Sequence, residues 1–207
     1  MMGMSKKTKG VRETAPGTTK EARQKPDAAF YDRRKGSAMK TAAVVRKELL
    51  ALLQGGNAHM EFDEAIDRFP LEHINRKAEQ IPYSPWHFLE HMRITQWDIL
   101  EFIRNPKHIS PDYPEGYRPR ASRRADEARW KSTIRGFRED LIALEEIVRD
   151  ETIDLFGPIP HARGYTVFRE ILLAADHNAY HIGEFALLRQ VMDLWPADNR
   201  YLTGKAA

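Results

Sequence analysis

Apolar residues recur at helical spacing through most of this chain, and no strand-like alternation competes with them. From Lys40 to Gln54 the run Ala43, Val44, Leu49, Leu50 and Leu53 marks one face of a helix, with Gly55-Gly56 as its stop. Asn57 can cap a shorter stretch from His59 to Phe69, ended by Pro70, and Leu71 to Tyr83 reads as a loop. Ser84-Pro85 then supplies a cap followed by proline at the first helical position, which opens a helix to Arg104. Its apolar set includes Trp86, Leu89, Met92, Trp97, Ile99, Leu100 and Ile103, and Asn105-Pro106 ends it. A polar connection of about fifteen residues follows, longer than most helix–helix links and long enough to cross the bundle or cover a site. Ser122 is placed to cap a third long helix, about Arg123 to Thr152, carrying Trp130, Ile134, Phe137, Leu141, Leu144 and Val148. Glu151 to Gly164, rich in Gly and Pro, reads as a loop, and Thr166 begins a final helix stopped near Trp195-Pro196. The pattern predicts an all-α bundle of four main helices.

Charge divides the chain where the pattern does. Residues 1–40 hold eleven Lys/Arg against four Asp/Glu, a net of +7, so the other 167 residues carry 22 basic and 26 acidic groups, a net of −4. Residues 1–38 are basic and poor in apolar residues, which predicts a disordered tail ahead of a helical domain at 39–207. Such a tail suits nonspecific contact with polyanions, or is a solvated extension ahead of a second start at Met39; it carries no nucleic-acid motif. With no cysteine, disulfide scaffolds and thiolate metal sites are excluded. No apolar run approaches a membrane span and no signal peptide is visible, so a cytoplasmic protein without a membrane partner is expected.

The candidate chemistry lies in Asp176-His177-Asn178-Ala179-Tyr180-His181-Ile182-Gly183-Glu184. Residues four apart on a helix share a face, so His177 and His181 can converge on one cation, and His91 on an upstream amphipathic helix can supply a third nitrogen. The competing reading makes them solvated or hydrogen-bonded core histidines, but the pair shares its stripe with Leu173, Ala174 and Leu188. A buried imidazole needs a partner or a metal. The segment H-N-A-Y-H lacks the glutamate of the H-E-x-x-H metalloproteases, and the chain has no Glu-x-x-His of the di-iron bundles.

With Pro85-Trp86-His87-Phe88-Leu89-Glu90-His91 in mid-chain and Asp176 to Glu184 late, the chain resembles the DinB-like superfamily of metal-binding four-helix bundles over about Met39 to Trp195. The resemblance implies His91, His177 and His181 as ligands of one divalent metal, zinc, nickel or iron. It also implies relatives among bacillithiol transferases and mycothiol-dependent enzymes, so a low-molecular-weight thiol is one substrate to expect. It implies no DNA binding.

Two functions stay open: a metal-dependent hydrolase or thiol transferase acting on a small molecule, and a non-catalytic bundle that binds a metal, a ligand or a protein partner. A homodimer also stays open. Asp176, Asn178 and Glu184 are close enough in sequence to orient the ligands or solvent. His59 can reach the site as an extra ligand or acid/base, or sit at the surface. His87, four before His91, is placed better for capping than for ligation. His73, His108 and His161 fall in loops.

Overall fold

A computed structural model describes residues 28–198, with side chains from Met39 onward. The chain divides into two compact units at Met39/Lys40, and all packing described below lies in the second. Helix α1 spans Ala28–Gln54. It begins well before the expected Lys40, because the Ala-, Lys- and Arg-containing stretch from Ala28 has helix propensity without an apolar stripe to announce it. Of the tail expected to be disordered over residues 1–38, residues 28–38 begin α1, and residues 1–27 lie outside the described residues. Gly55 and Gly56, both at φ 79°, end α1 in a conformation that glycine adopts without strain.

A short helix α2, Phe62–Ile66, precedes α3 (Pro85–Arg104), α4 (Glu127–Arg149) and α5 (Val167–Val191). Helix α4 starts later than Ser122 predicted. Its cap is Asp126, whose carboxylate accepts from the Arg129 N–H at 2.8 Å. Serine and aspartate cap about equally well, and the charge of Asp126 also suits the positive end of the helix. Ala125, just before it, is held by Asn75 through two hydrogen bonds, of 2.8 and 2.7 Å. The segment read as loop contains a small antiparallel hairpin, β1 (Pro158–Ile159) and β2 (Ala162–Thr166). A two-residue strand is too short to show alternation; Ile159 and the α5 cap Thr166 anchor the hairpin, together with His161 and Tyr165, which both contact Phe102.

The core forms two clusters along the bundle. Trp86, Leu89 and Met92 of α3 pack with Trp130 and Phe137 of α4, Ile182 and Phe185 of α5, and Phe62 and Phe69. Farther along, Leu49 and Leu53 of α1 meet Ile99, Leu100, Leu144, Val148 and Ile171. Between the clusters lies a buried amide layer: Asn178 Nδ2 donates to Gln96 Oε1 at 2.7 Å, and Gln96 Nε2 donates to the Phe137 carbonyl at 2.6 Å. A donor–acceptor chain of this kind fixes the register of α5 on α3, since a slip would leave buried amides unpaired. Not every apolar position is inward: Trp97 and Leu173 are exposed, as is Val44. In the last turn of α5, fully buried Arg189 donates to the carbonyls of Leu194, Ala65 and Asp67, which ties the end of that helix to the α2 turn. Among the described residues, no helix is long and apolar enough to cross a membrane.

Candidate metal centre

His91 stands near the middle of α3, and His177 and His181 lie one turn apart on α5, flanking the buried amide layer. The register fixed by Gln96 and Asn178 brings the three rings together. His91 Nε2 lies 3.1 Å from His181 Nε2 and 3.3 Å from His177 Nε2. The donor atoms of the three residues all fall within 4.8 Å of one another, so the cluster could hold a metal ion. Tetrahedral coordination with bonds of about 2.0–2.1 Å sets donor nitrogens about 3.3 Å apart. The observed nitrogen separations match that spacing.

The outer ring nitrogens decide what faces inward. His91 Nδ1–H donates to the Tyr117 carbonyl at 2.8 Å, and His181 Nδ1–H donates to Glu184 Oε2 at 2.7 Å. A carbonyl and a carboxylate can only accept, so both neutral rings carry their remaining lone pair on Nε2. Two lone pairs then face each other at 3.1 Å. Only a cation between them, a proton or a metal, makes that contact attractive.

A proton is disfavoured. Burial pushes His91 down to about 4, with the nearby His181 and Arg118 adding to it against the pull of the Tyr117 carbonyl. His177 is pushed to about 3, by burial first and then by His181 and His91. His181 is lowered by burial too, although Glu184 opposes the shift. At neutral pH the site offers uncharged imidazoles, the form that ligates metals. The third ring is held less firmly. His177 Nδ1 and the neighbouring Asn178 Oδ1 are buried without a hydrogen-bond partner of good geometry among the described residues, though Asn178 is close enough to oppose the shift slightly.

The connection between α3 and α4, residues 105–126, runs over this cluster as a strap. Asp98, buried on α3, accepts from Tyr117 Oη and from His108 Nε2, each at 2.6 Å. Burial and this bond push the Tyr117 phenol up to about 12. Tyr117 therefore joins strap to site twice, through its hydroxyl to Asp98 and its carbonyl to His91. Beneath the strap a cavity of about 800 Å3 opens onto the three histidines, with Tyr83, Thr95, Tyr113, Arg118 and Tyr180 in its walls. The Arg118 guanidinium lies 4.8 Å from the centre of the Tyr83 ring. Thr95, one turn beyond His91, has a buried hydroxyl with no partner among the described residues.

The remaining sequence candidates separate cleanly. Glu184 orients His181, and Asn178 serves the amide layer, while Asp176 is exposed. His59 is bound to the neighbouring Met60 carbonyl at 2.8 Å and takes no part in the cluster. His87 is buried between Ser84 Oγ at 2.6 Å and the Arg120 carbonyl at 3.1 Å, so it anchors the strap. This also explains why Ser84 makes no side-chain cap to α3. His108 serves Asp98, and His161 bonds the Phe102 carbonyl at 2.9 Å. The sequence reading missed Tyr117, Asp98 and Arg118. A carboxylate at Asp98 beside Trp97, Ile99 and Leu100 was the one visible signal, since a buried acid needs a donor.

No family model, curated protein or solved structure compared with the chain matches it.

Proposed function

We propose that this protein is an enzyme that uses one divalent metal ion, held by His91, His177 and His181, in hydrolysis or thiol transfer on a small molecule. The observation that carries the reading is the pair of Nε2 lone pairs, locked at 3.1 Å by outer hydrogen bonds under an open cavity. Three neutral imidazoles leave coordination positions free, which is the pattern of catalytic rather than closed structural sites. A metal bound there would act as a Lewis acid and lower the pKa of a bound water or thiol. The chain's own groups supply the rest: Glu184 and the Tyr117 carbonyl orient ligand rings, and the strap forms one wall of the cavity. The DinB-like resemblance supports the same ligand set and a thiol as one substrate class. A cytoplasmic location, consistent with the absence of cysteine, belongs to the same proposal.

The test is the visible spectrum of the cobalt-substituted protein on addition of azide or a small thiol. A metal with three imidazoles and no carboxylate keeps its positive charge, so an anionic ligand should bind and shift the bands. His177→Ala should abolish the spectrum along with the metal. Bands unmoved by every such ligand would mean a closed structural site and overturn the catalytic reading.

A further inference from the structure

On the other side of the strap from the histidines lies a second cavity, of about 480 Å3, between the strap and the helices α3 and α4. Trp86 and Ile94 contribute apolar surface, and Arg118, Arg120, Arg123 and Arg129 line the remainder with Ser122. Four arginines therefore line a cavity that holds one carboxylate, Glu90, and that carboxylate is already used. Arg93 grips it through two hydrogen bonds of 3.0 Å, Thr133 donates to it at 2.7 Å, and Arg129 reaches it at 3.3 Å. Arg118, Arg120 and Arg123 have no ion pair among the described residues. This surplus of positive charge belongs to a body whose net charge is negative.

The strap that bears these arginines is held rigidly for a surface connection. His87 donates to the Arg120 carbonyl at 3.1 Å, Arg123 N–H donates to the same carbonyl at 2.8 Å, and Asn75 clamps Ala125. Tyr117 is pinned by Asp98 at the other end. The backbone of the segment is thus preorganised, which lowers the entropic cost of ligand binding by its side chains. Guanidinium forks match phosphate oxygens in geometry and charge, and several of them favour a polyanion over a single carboxylate.

We propose that this arginine-lined cavity is a binding site for a phosphate-bearing small molecule, with Arg120 and Arg123 as its principal anchors. Arg118 and Arg120 border both cavities, so an anion here lies beside the entrance to the three-histidine pocket.

Inorganic pyrophosphate is the probe, titrated calorimetrically into the full chain at constant ionic strength. Saturable binding of one pyrophosphate per chain is expected. The Arg120→Gln/Arg123→Gln double variant should bind about tenfold more weakly or worse, as expected for loss of charged hydrogen bonds. Arg163→Gln, on β2 away from the strap, should bind like the wild type. The three arginine side chains replaced are exposed, so the arginine variants should keep the wild-type melting midpoint, which confirms that folding is intact. His177→Ala, which removes the metal and any anion bound to it, should keep the pyrophosphate binding that depends on Arg120 and Arg123, so this site stands or falls independently of the metal. Equal affinity in the double variant would place the anion elsewhere and overturn the proposal. Tighter binding of citrate than of pyrophosphate would overturn the phosphate assignment, and so would binding of single-stranded DNA in the absence of any pyrophosphate binding.

Discussion

A histidine is recognised as a ligand by what holds its other nitrogen. In His91 and His181 that nitrogen is committed to an acceptor, and the commitment aims the lone pair at the cluster. Replacing any one of His91, His177 or His181 by Ala should remove high-affinity divalent metal binding, whereas His73→Ala should leave it intact. Equal competition with a chromogenic chelator by all four variants would contradict the assignment. Glu184→Gln keeps an acceptor for His181 but removes its charge. It should weaken the metal about 10–100-fold without abolishing it, the size expected for an outer hydrogen-bond partner. An affinity unchanged by this variant would show that Glu184 merely lies nearby. Proton linkage follows from the same rings. His91 and His177 are depressed to about 4 and about 3 from an ordinary 6.5, so below 6.5 the unfolded chain takes up protons that the folded site refuses. Stability of the metal-free protein is therefore full above about 6.5 and falls as pH drops towards about 3. Urea unfolding of chelator-treated protein across that window should show the fall, with a shallower one in His177→Gln. Identical slopes would mean that these rings do not govern the acid response.

At the level of elements, the helices were legible because their apolar faces repeat over many turns, and Ser84-Pro85 and Gly55-Gly56 marked boundaries in the chemistry of the chain. Histidines four apart on α5 could be placed on one face from spacing alone. The third ligand needed α3 to pack beside α5 in register, and Gln96 and Asn178, which secure that register, read as ordinary polar residues in a sequence. The α4 start was misplaced because Ser122 and Asp126 both suit a cap, and the choice was made by Asn75, about fifty residues away. The hairpin was missed because its pairing is shorter than any period. The strap was foreseen as a long connection suited to covering a site, but its attachment to Asp98 was not. Asp98→Ala would release Tyr117 and His108 together, at a cost of about 2–4 kcal/mol for two charge-assisted bonds less the relief of a buried acid. Limited proteolysis should then cut within residues 106–124 faster than in the wild type, and unchanged cleavage would show that the strap is held by other contacts.

For the molecule as a whole, two apolar clusters support a polar layer between them, and the three histidines open from that layer into the cavity under the strap. Packing on both sides supports the site, and it holds the uncharged His91 and His181 rings closer than their facing lone pairs favour. The proposed centre needs a cation there. The most direct measurement is elemental analysis of the full chain purified without any metal-affinity column, beside His91→Ala prepared identically and shown by its melting curve to be folded. One divalent metal per wild-type chain and none in the variant is the result predicted. Equal metal content in the two proteins, or none in the wild type even after incubation with zinc, nickel and iron, would contradict it.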